Sequence, residues 1–358
     1  MHTLSFTGAR QVRFPAPDVA RGFMLALIAL ANVPFWLRYF PDAPQVGEAA
    51  LAAMNDADQW WYLVRTLFVD RRAYPLFSIL FGFGMAIMAS RTIERERRFA
   101  MDAIAPELSA GWNAVQWEIV RDSVERRARR AASRLIRRRG WWMLAFGLVH
   151  GIIFAGDIIG AYGLVAVIFA EVIVMRRPWL RVLVGAIIAS LSLLGIWSMA
   201  AMVGREPMVL ESHGPVALDA SYPLFSLASW LIATPMTVLT ALVVPCVMIG
   251  VGVARWGLLQ DPRGRGPLLV GIALVGLGIG ALGAVPFALM QLDWACVGSA
   301  AWSYPLFHAS GVAGACGWLA LLALVGGGSR ESLGSVCAFL SAIGRRSMTA
   351  YLSQTLLF

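Results

Sequence analysis

The stretch "RRRGWWMLAFGLVHGIIFAGDIIGAYGLV", Arg137–Val165, decides the fold. Three arginines stop abruptly and give way to an apolar run long enough to cross a hydrocarbon core of about 30 Å. Only His150 and Asp157 interrupt it. Apolar runs of this length recur from end to end. Of the 358 residues, 59% are hydrophobic and 14% charged, and the mean hydropathy is +0.68. Soluble domains carry roughly a quarter charged residues. Lipid admits only helices or closed barrels, because each backbone donor and acceptor must find its partner inside the protein. The period-2 alternation of a barrel is absent. The sequence therefore reads as an all-α, polytopic transmembrane helical bundle.

Working outward from that stretch gives about nine spans by length and hydropathy. They fall near Val19–Leu37, Tyr74–Ser90, 140–158, 161–175, 179–203, 226–254, 266–290 and 305–325, with a last one from Ser335. "QWWYLVRTLFVDRR" (Gln59–Arg72) reads as an interfacial helix with an aromatic anchor. Residues 91–139 form the one large polar insertion in a single transmembrane domain (1–358), with 13 arginines against 7 acids. Its latter half, "RDSVERRARRAASRLIRRR", reads as a basic amphipathic helix on the cytoplasmic side. The segment after Ser335 barely completes one crossing, so the natural chain is expected to continue, with one more helix. "YPLF" occurs at Tyr74–Phe77, Tyr222–Phe225 and Tyr304–Phe307, where a Pro in the first turn and a Tyr in the headgroup layer suit helix starts. A remnant of internal repetition is the other reading.

The net charge of +9 does not point to nucleic acid, because the arginines cluster in a few inter-span loops as topology determinants do. With Arg10 and Arg13 cytoplasmic, the basic segments 91–139, Arg176–Arg181, Arg255–Arg265 and Arg345–Arg346 all fall on that side. The opposite loops hold Glu206, Glu211, Asp219 and Asp293 against Arg205. One loop resists: Arg38, Arg65, Arg71 and Arg72 fall outside. Either they are retained for function or the second span begins earlier. No secretory leader is legible, since Asp18 and Arg21 open the first apolar stretch. Cys246, Cys296, Cys316 and Cys337 have no paired spacing, and no metal or disulfide is expected. "FGFG" (Phe81–Gly84) and "GLGIGALG" (276–283) read as close helix packing rather than nucleotide loops.

Charged groups at mid-bilayer cost ~2.5 kcal/mol or more, so each needs an account. His150 lies about ten residues into its span, about 15 Å from the cytoplasmic edge. Asp157, seven residues on, returns to the same face of a continued helix about 10 Å further out. On that geometry they share a stripe without touching. His150 can exchange a proton near neutral pH, and Asp157 can orient an acceptor; the structural alternatives are a neutral His bonded to a neighbouring helix and an Asp that caps the "GDIIG" turn. Asp18 and Arg21, at i and i+3, can pair, as N-cap and anchor or as part of a site. Asn32, deep in the first span, needs a partner helix or a polar cavity. Tyr351 and Gln354 share one face in "SMTAYLSQTLLF", and Arg345 and Arg346 precede them at the boundary, suited either to phosphates or to topology. His308, His213 and His2 read as incidental, in loops or at interfaces.

With these residues in view, the chain resembles the YeiB family of bacterial inner-membrane proteins. The likeness rests on "DVARGFMLALIALANV", "YPLFSILFGFGMAI", the opening stretch above and "GRRSMTAYLSQTLL", in that order over essentially the whole chain. "D..RG" also resembles the first helix of a wider transmembrane acyltransferase superfamily, matching Asp18, Arg21 and Gly22 only. That resemblance implies an acyl group passed from cytosolic acyl-CoA, or acetyl-CoA, to an acceptor on the far side, with a histidine central to the chemistry. His150 is the candidate by depth, as general base or transient acyl carrier, with Asp157 near the outer mouth to orient the acceptor. Arg21, Arg345, Arg346 or the helix around Arg126–Arg139 would hold the phosphates. Asp18, Asn32, Tyr351 and Gln354 would line the cavity. The expected partners are membrane lipids and a small-molecule or glycan acceptor; a homodimer stays open. The competing readings are a proton-coupled transporter or lipid-handling protein and a membrane component whose polar residues only bond helices together.

Overall fold

The computed structural model describes residues 15–37, 48–105, 110–154, 156–203, 218–259, 262, 264–327 and 334–357. Among the described residues every regular element is an α-helix: α1 (Ala16–Leu37), α2 (Glu48–Ala53), α3 (Asp56–Phe68), α4 (Ala73–Asp102), α5 (Ala114–Ile153), α6 (Ile159–Val174), α7 (Pro178–Val203), α8 (Tyr222–Thr240), α9 (Val243–Trp256), α10 (Gly266–Gln291), α11 (Ala300–Gly326), α12 (Ser335–Arg345) and α13 (Ser347–Leu357). Six segments are long and apolar enough to cross a membrane: Ala16–Pro34, Asp56–Asp102, Pro178–Met202, Tyr222–Thr240, Gly266–Gln291 and Ala300–Gly326. Shorter apolar helices lie at Ile159–Val174, Val243–Trp256 and Ser335–Arg345. Exposed Leu183, Ile187, Leu191 and Leu194 on α7, and Leu274, Val275 and Leu282 on α10, give the bundle an apolar outer surface suited to lipid.

Several boundaries differ from the sequence reading, each for a local reason. The polar residues 91–139 lie in the C-terminal end of α4, a loop, and the first two thirds of α5. Asn113 starts α5 with a capping box: its side chain accepts the Gln116 N–H at 2.9 Å, and Gln116 accepts the Asn113 N–H at 2.8 Å. With 40 residues, α5 reaches about 60 Å, twice the thickness of a bilayer core. Arg97 on α4 pairs with Glu125 on α5 at 3.3 Å, so the polar ends stay side by side. The expected span 226–254 is two helices, broken at Ala241–Leu242, with Leu242 in the left-handed region (φ 56°). Pro245 explains the break, since a helix running through it would lose the bond to Ala241 and clash there. The expected last span from Ser335 is likewise divided, at Arg346. The second span begins earlier than expected: Asp56–Asp102 is one apolar segment bent at Val69–Arg72, with Arg71 left-handed (φ 57°). "YPLF" opens α4 and α8, but in α11 Pro305 lies inside the helix.

Small residues set the packing. Gly276, Gly280 and Gly283 of α10 face Gly317, Gly314 and Ser310 of α11, and a Cβ at any of them would meet the other helix. Gly82 of α4 abuts the Val247 carbonyl, and Gly250 of α9 abuts the Ile79 carbonyl. Gly22 of α1 lies against Leu340, and Gly344 of α12 against the Asp18 carbonyl. This last approach brings Arg345 to the start of α1. Arg10, Arg13, Arg38, Arg205, Glu206, Glu211, His2 and His213 lie outside the described residues.

Candidate functional site

The end of α5 and the start of α6 build a polar corner inside the bundle. After Ile153 the chain leaves the helix, with Phe154 extended, and turns back at 156–158 into α6. This reversal corrects the expectation that His150 and Asp157 cannot touch. That expectation continued the helix through residue 158, whereas the turn folds Asp157 back onto the last turn of α5. His150 Nδ1 lies 2.8 Å from Asp157 Oδ1. The other carboxylate oxygen accepts the Gly160 N–H at 2.8 Å, capping α6, and the Trp230 indole N–H at 3.0 Å. Asp157 therefore caps the turn and grips the imidazole at once.

Helix α8 completes the corner. A helix end leaves its last carbonyls without internal partners. Here Ser226 Oγ donates to the Gly151 carbonyl at 2.7 Å, Tyr222 OH to the Ile153 carbonyl at 2.8 Å, and the Phe154 N–H to His150 O at 2.8 Å. Tyr222, Ser226 and Trp230 recur at i, i+4 and i+8, which places them on one face. Ahead of α8, Asp219 accepts two hydrogen bonds from Ser221, which hold its carboxyl below the ordinary range. The glycines of "FGLVHG" and "GDIIG" are spatial requirements. A Cβ at Gly147 would strike Gly160 and the Asp157 carboxylate, and one at Gly151 or Gly160 would strike the Trp230 ring.

The second ring nitrogen of His150 points to α13. Nε2 is 2.8 Å from Thr355 Oγ1. An ionised Asp157 only accepts, so a neutral imidazole carries its proton on Nδ1 and receives the Thr355 O–H at Nε2. Carboxylate, imidazole and hydroxyl thus form a continuous chain. His150 is 6% exposed, flanked by Phe154 and Tyr351 at centroid distances of 5.6 and 5.5 Å. The Tyr351 hydroxyl is bonded to the Ile158 backbone.

Tyr351 also lines a cavity of about 580 Å³ between α1, α4, α5, α12 and α13. Asp18 and Arg21 in the first two turns of α1, Arg345 at the end of α12 and Arg139 in the interior of α5 line its charged mouth, and Phe77, Phe81, Trp142 and Phe146 form its walls. Asp18 and Arg21 pair at 3.1 Å, as their spacing suggested. Three arginines against one aspartate leave the mouth positive. A positive mouth above aromatic walls can take a ligand with an anionic head and an apolar or thioether tail.

Of the residues singled out from sequence, the structure gathers Asp18, Arg21, Arg345 and Tyr351 on this cavity, with His150 and Asp157 behind Tyr351. Arg346, Asn32 and Gln354 are not among its lining residues; Gln354 instead donates to the Leu25 carbonyl at 3.2 Å and ties α13 to α1. His308, expected in a loop or at an interface, is buried in α11, with Nδ1 3.0 Å from the Tyr304 carbonyl. A helix with Pro305 inside begins earlier than the proline suggested, and that moves His308 inward. Thr355 and Trp230 were missed. Thr355 lies 205 residues from its partner, beyond the reach of any spacing argument. Trp230 had a signal, since it stands one and two turns beyond Ser226 and Tyr222.

The fold and site together define a helical membrane protein with a cavity that shares Tyr351 with a buried, hydrogen-bonded imidazole. The family described as "Protein of unknown function (DUF418)" matches residues 253–358. Over those residues, which carry Arg345, Tyr351 and Thr355, the chain is similar to that family; His150 and Asp157 lie outside the match. No curated protein and no solved structure matches.

Proposed function

We propose that this chain is an inner-membrane acyltransferase of the YeiB type, taking an acyl group from cytosolic acyl-CoA and passing it to a small-molecule or glycan acceptor across the membrane. One observation carries the reading: the arginine-mouthed cavity is lined by Tyr351, whose ring abuts an imidazole held between a carboxylate and a hydroxyl. Arg21, Arg139 and Arg345 would bind the phosphates, and the aromatic walls would take the pantetheine arm and the acyl chain. His150 would accept the proton of the attacking group, with Asp157 fixing its tautomer and stabilising the imidazolium. In this reading the chain makes nine crossings: α1, α3 with α4, the apolar end of α5, α6, α7, α8 with α9, α10, α11 and the last segment from Ser335, α12 with α13. The N-terminus, the residues 91–139 and the arginine mouth face the cytoplasm, following the charge bias.

The test uses the full chain in detergent with acetyl-CoA and palmitoyl-CoA. Saturable binding is expected for one or both, weakened roughly tenfold by Arg345→Gln, the loss of one charge-assisted bond. His150→Ala should keep binding while release of free CoA thiol falls at least ~100-fold. Neither binding nor thiol release with either donor would sink the acyltransferase.

One observation favours a transporter instead. Three apolar segments are broken, at Arg71, at Leu242 and at Arg346, and discontinuous helices are typical of transport folds. Proton-linked uptake into vesicles that is lost in His150→Ala, without any thiol release, would establish that reading in place of the first.

A further inference from the structure

We infer that Thr355 is the nucleophile of the site and carries the acyl group as an ester between the two half-reactions. The inference rests on the acyl-transfer reading above. Its basis is the direction of the hydrogen-bond chain: Nδ1 of His150 is held by Asp157 at 2.8 Å, and Nε2 faces Thr355 Oγ1 at 2.8 Å. A serine or threonine hydroxyl is a weak nucleophile unless an adjacent base removes its proton, and a base oriented by a third group is the recurring solution. The imidazole is already placed to do this for Thr355.

Reach favours the same atom. Tyr351 lines the cavity, and Thr355 follows at i+4, on the same face of α13 and about 6 Å further along it. Eleven residues of α5 separate Arg139 at the mouth from His150, about 16 Å along the helix. A donor anchored at the mouth and an acceptor entering from the far side need not meet if the protein holds the acyl group between them. The half-buried hydroxyl at the end of the hydrogen-bond chain is the group positioned to do so.

In the first half-reaction Thr355 Oγ1 attacks the thioester carbonyl carbon. The new C–O bond forms as the C–S bond breaks; the threonine proton passes to Nε2 and then to the departing thiolate. The products are a Thr355 ester and free CoA thiol. In the second, an acceptor hydroxyl attacks the ester carbon and gives its proton to Nε2. Thr355 oxygen recovers that proton as its own C–O bond breaks. Asp157 stays ionised throughout and holds the Nδ1 proton.

The experiment incubates the full chain, in detergent, with acetyl-CoA and in parallel with palmitoyl-CoA, then reads thiol release and the mass of the peptide bearing residue 355. The expected result is a burst of thiol stoichiometric with protein and one acyl group on Thr355. Thr355→Ser should retain burst and label. Thr355→Ala and Thr355→Val, the latter filling the same space, should lose both while still binding the donor; saturable donor binding shows that the variant is folded. Steady thiol release without a burst, label on another side chain, or burst and transfer preserved in the Ala or Val variant would overturn the nucleophile and leave acyl transfer standing. Absence of both donor binding and thiol release in the unmodified chain would remove acyl transfer itself, and this inference with it.

Discussion

Two corners of this bundle bury charged side chains among apolar helices, and they do so in opposite ways. At the bend between α3 and α4, Arg72 is 1% exposed. Its guanidinium is spent on backbone: Nη1 donates to the Thr66 carbonyl at 3.0 Å and the Asp70 carbonyl at 2.6 Å, and Nη2 donates to Gly280 of α10. The Phe307 ring lies 5.1 Å from its Cζ. The side chain caps α3 and ties it to α10, work that a broken helix requires. At the corner between α5 and α6, the carbonyls are satisfied by Tyr222 and Ser226 instead. His150 and Asp157 are thereby left to bond with each other and with side chains from α8 and α13, beside a cavity. The first corner is closed by its charge; the second is closed by its neighbours, which frees its charge for chemistry.

That contrast can be broken by substitution, and the largest effect belongs to the closed corner. Arg72→Ala strands the Thr66 and Asp70 carbonyls and breaks the tie to Gly280, and should cost roughly 3–5 kcal/mol of stability, each orphaned polar group contributing about 1–3 kcal/mol. The readout is a lowered unfolding midpoint in detergent, and a midpoint within one or two degrees of the parent would contradict the capping role. Asp157→Asn keeps the shape but no longer fixes the imidazole tautomer. Its expected signature is a fall of thiol release by about a hundredfold or more, against a stability loss of only about 1–2 kcal/mol. If stability fell as far as in Arg72→Ala with turnover intact, the two corners would be the same kind of object. Trp230→Phe removes one hydrogen bond to the carboxylate and shrinks the indole to a phenyl ring, so a loss of about 1–2 kcal/mol, with turnover within about tenfold, is expected.

The helical membrane class was legible because apolar runs and arginine clusters are properties of single segments. Breaks inside those runs were harder. Pro245 sits in the third position of α9 and could have divided 226–254, yet its apolar neighbours hide it in any hydropathy window. The pairing of Asp18 with Arg21 was readable because both sit within one helical turn. The His150–Asp157 contact was lost by one assumption, that the helix runs on past Ile153, when "GDIIG" carries the glycine and aspartate of a turn with its own cap. Thr355 was not readable at all. Its role is set by how α13 lies beside α5, which depends on glycine contacts between α1 and α12 that no local pattern encodes.

The 40-residue α5 has a mechanical side. Arg126 and His150 stand on a single unbroken rod about 36 Å apart, one end dressed in positive charge and the other bearing the imidazole. A hydrogen-bonded rod resists bending, so a load placed on the charged end is transmitted along its axis as a lever stroke. Anything that grips the arginines would be felt at the ring.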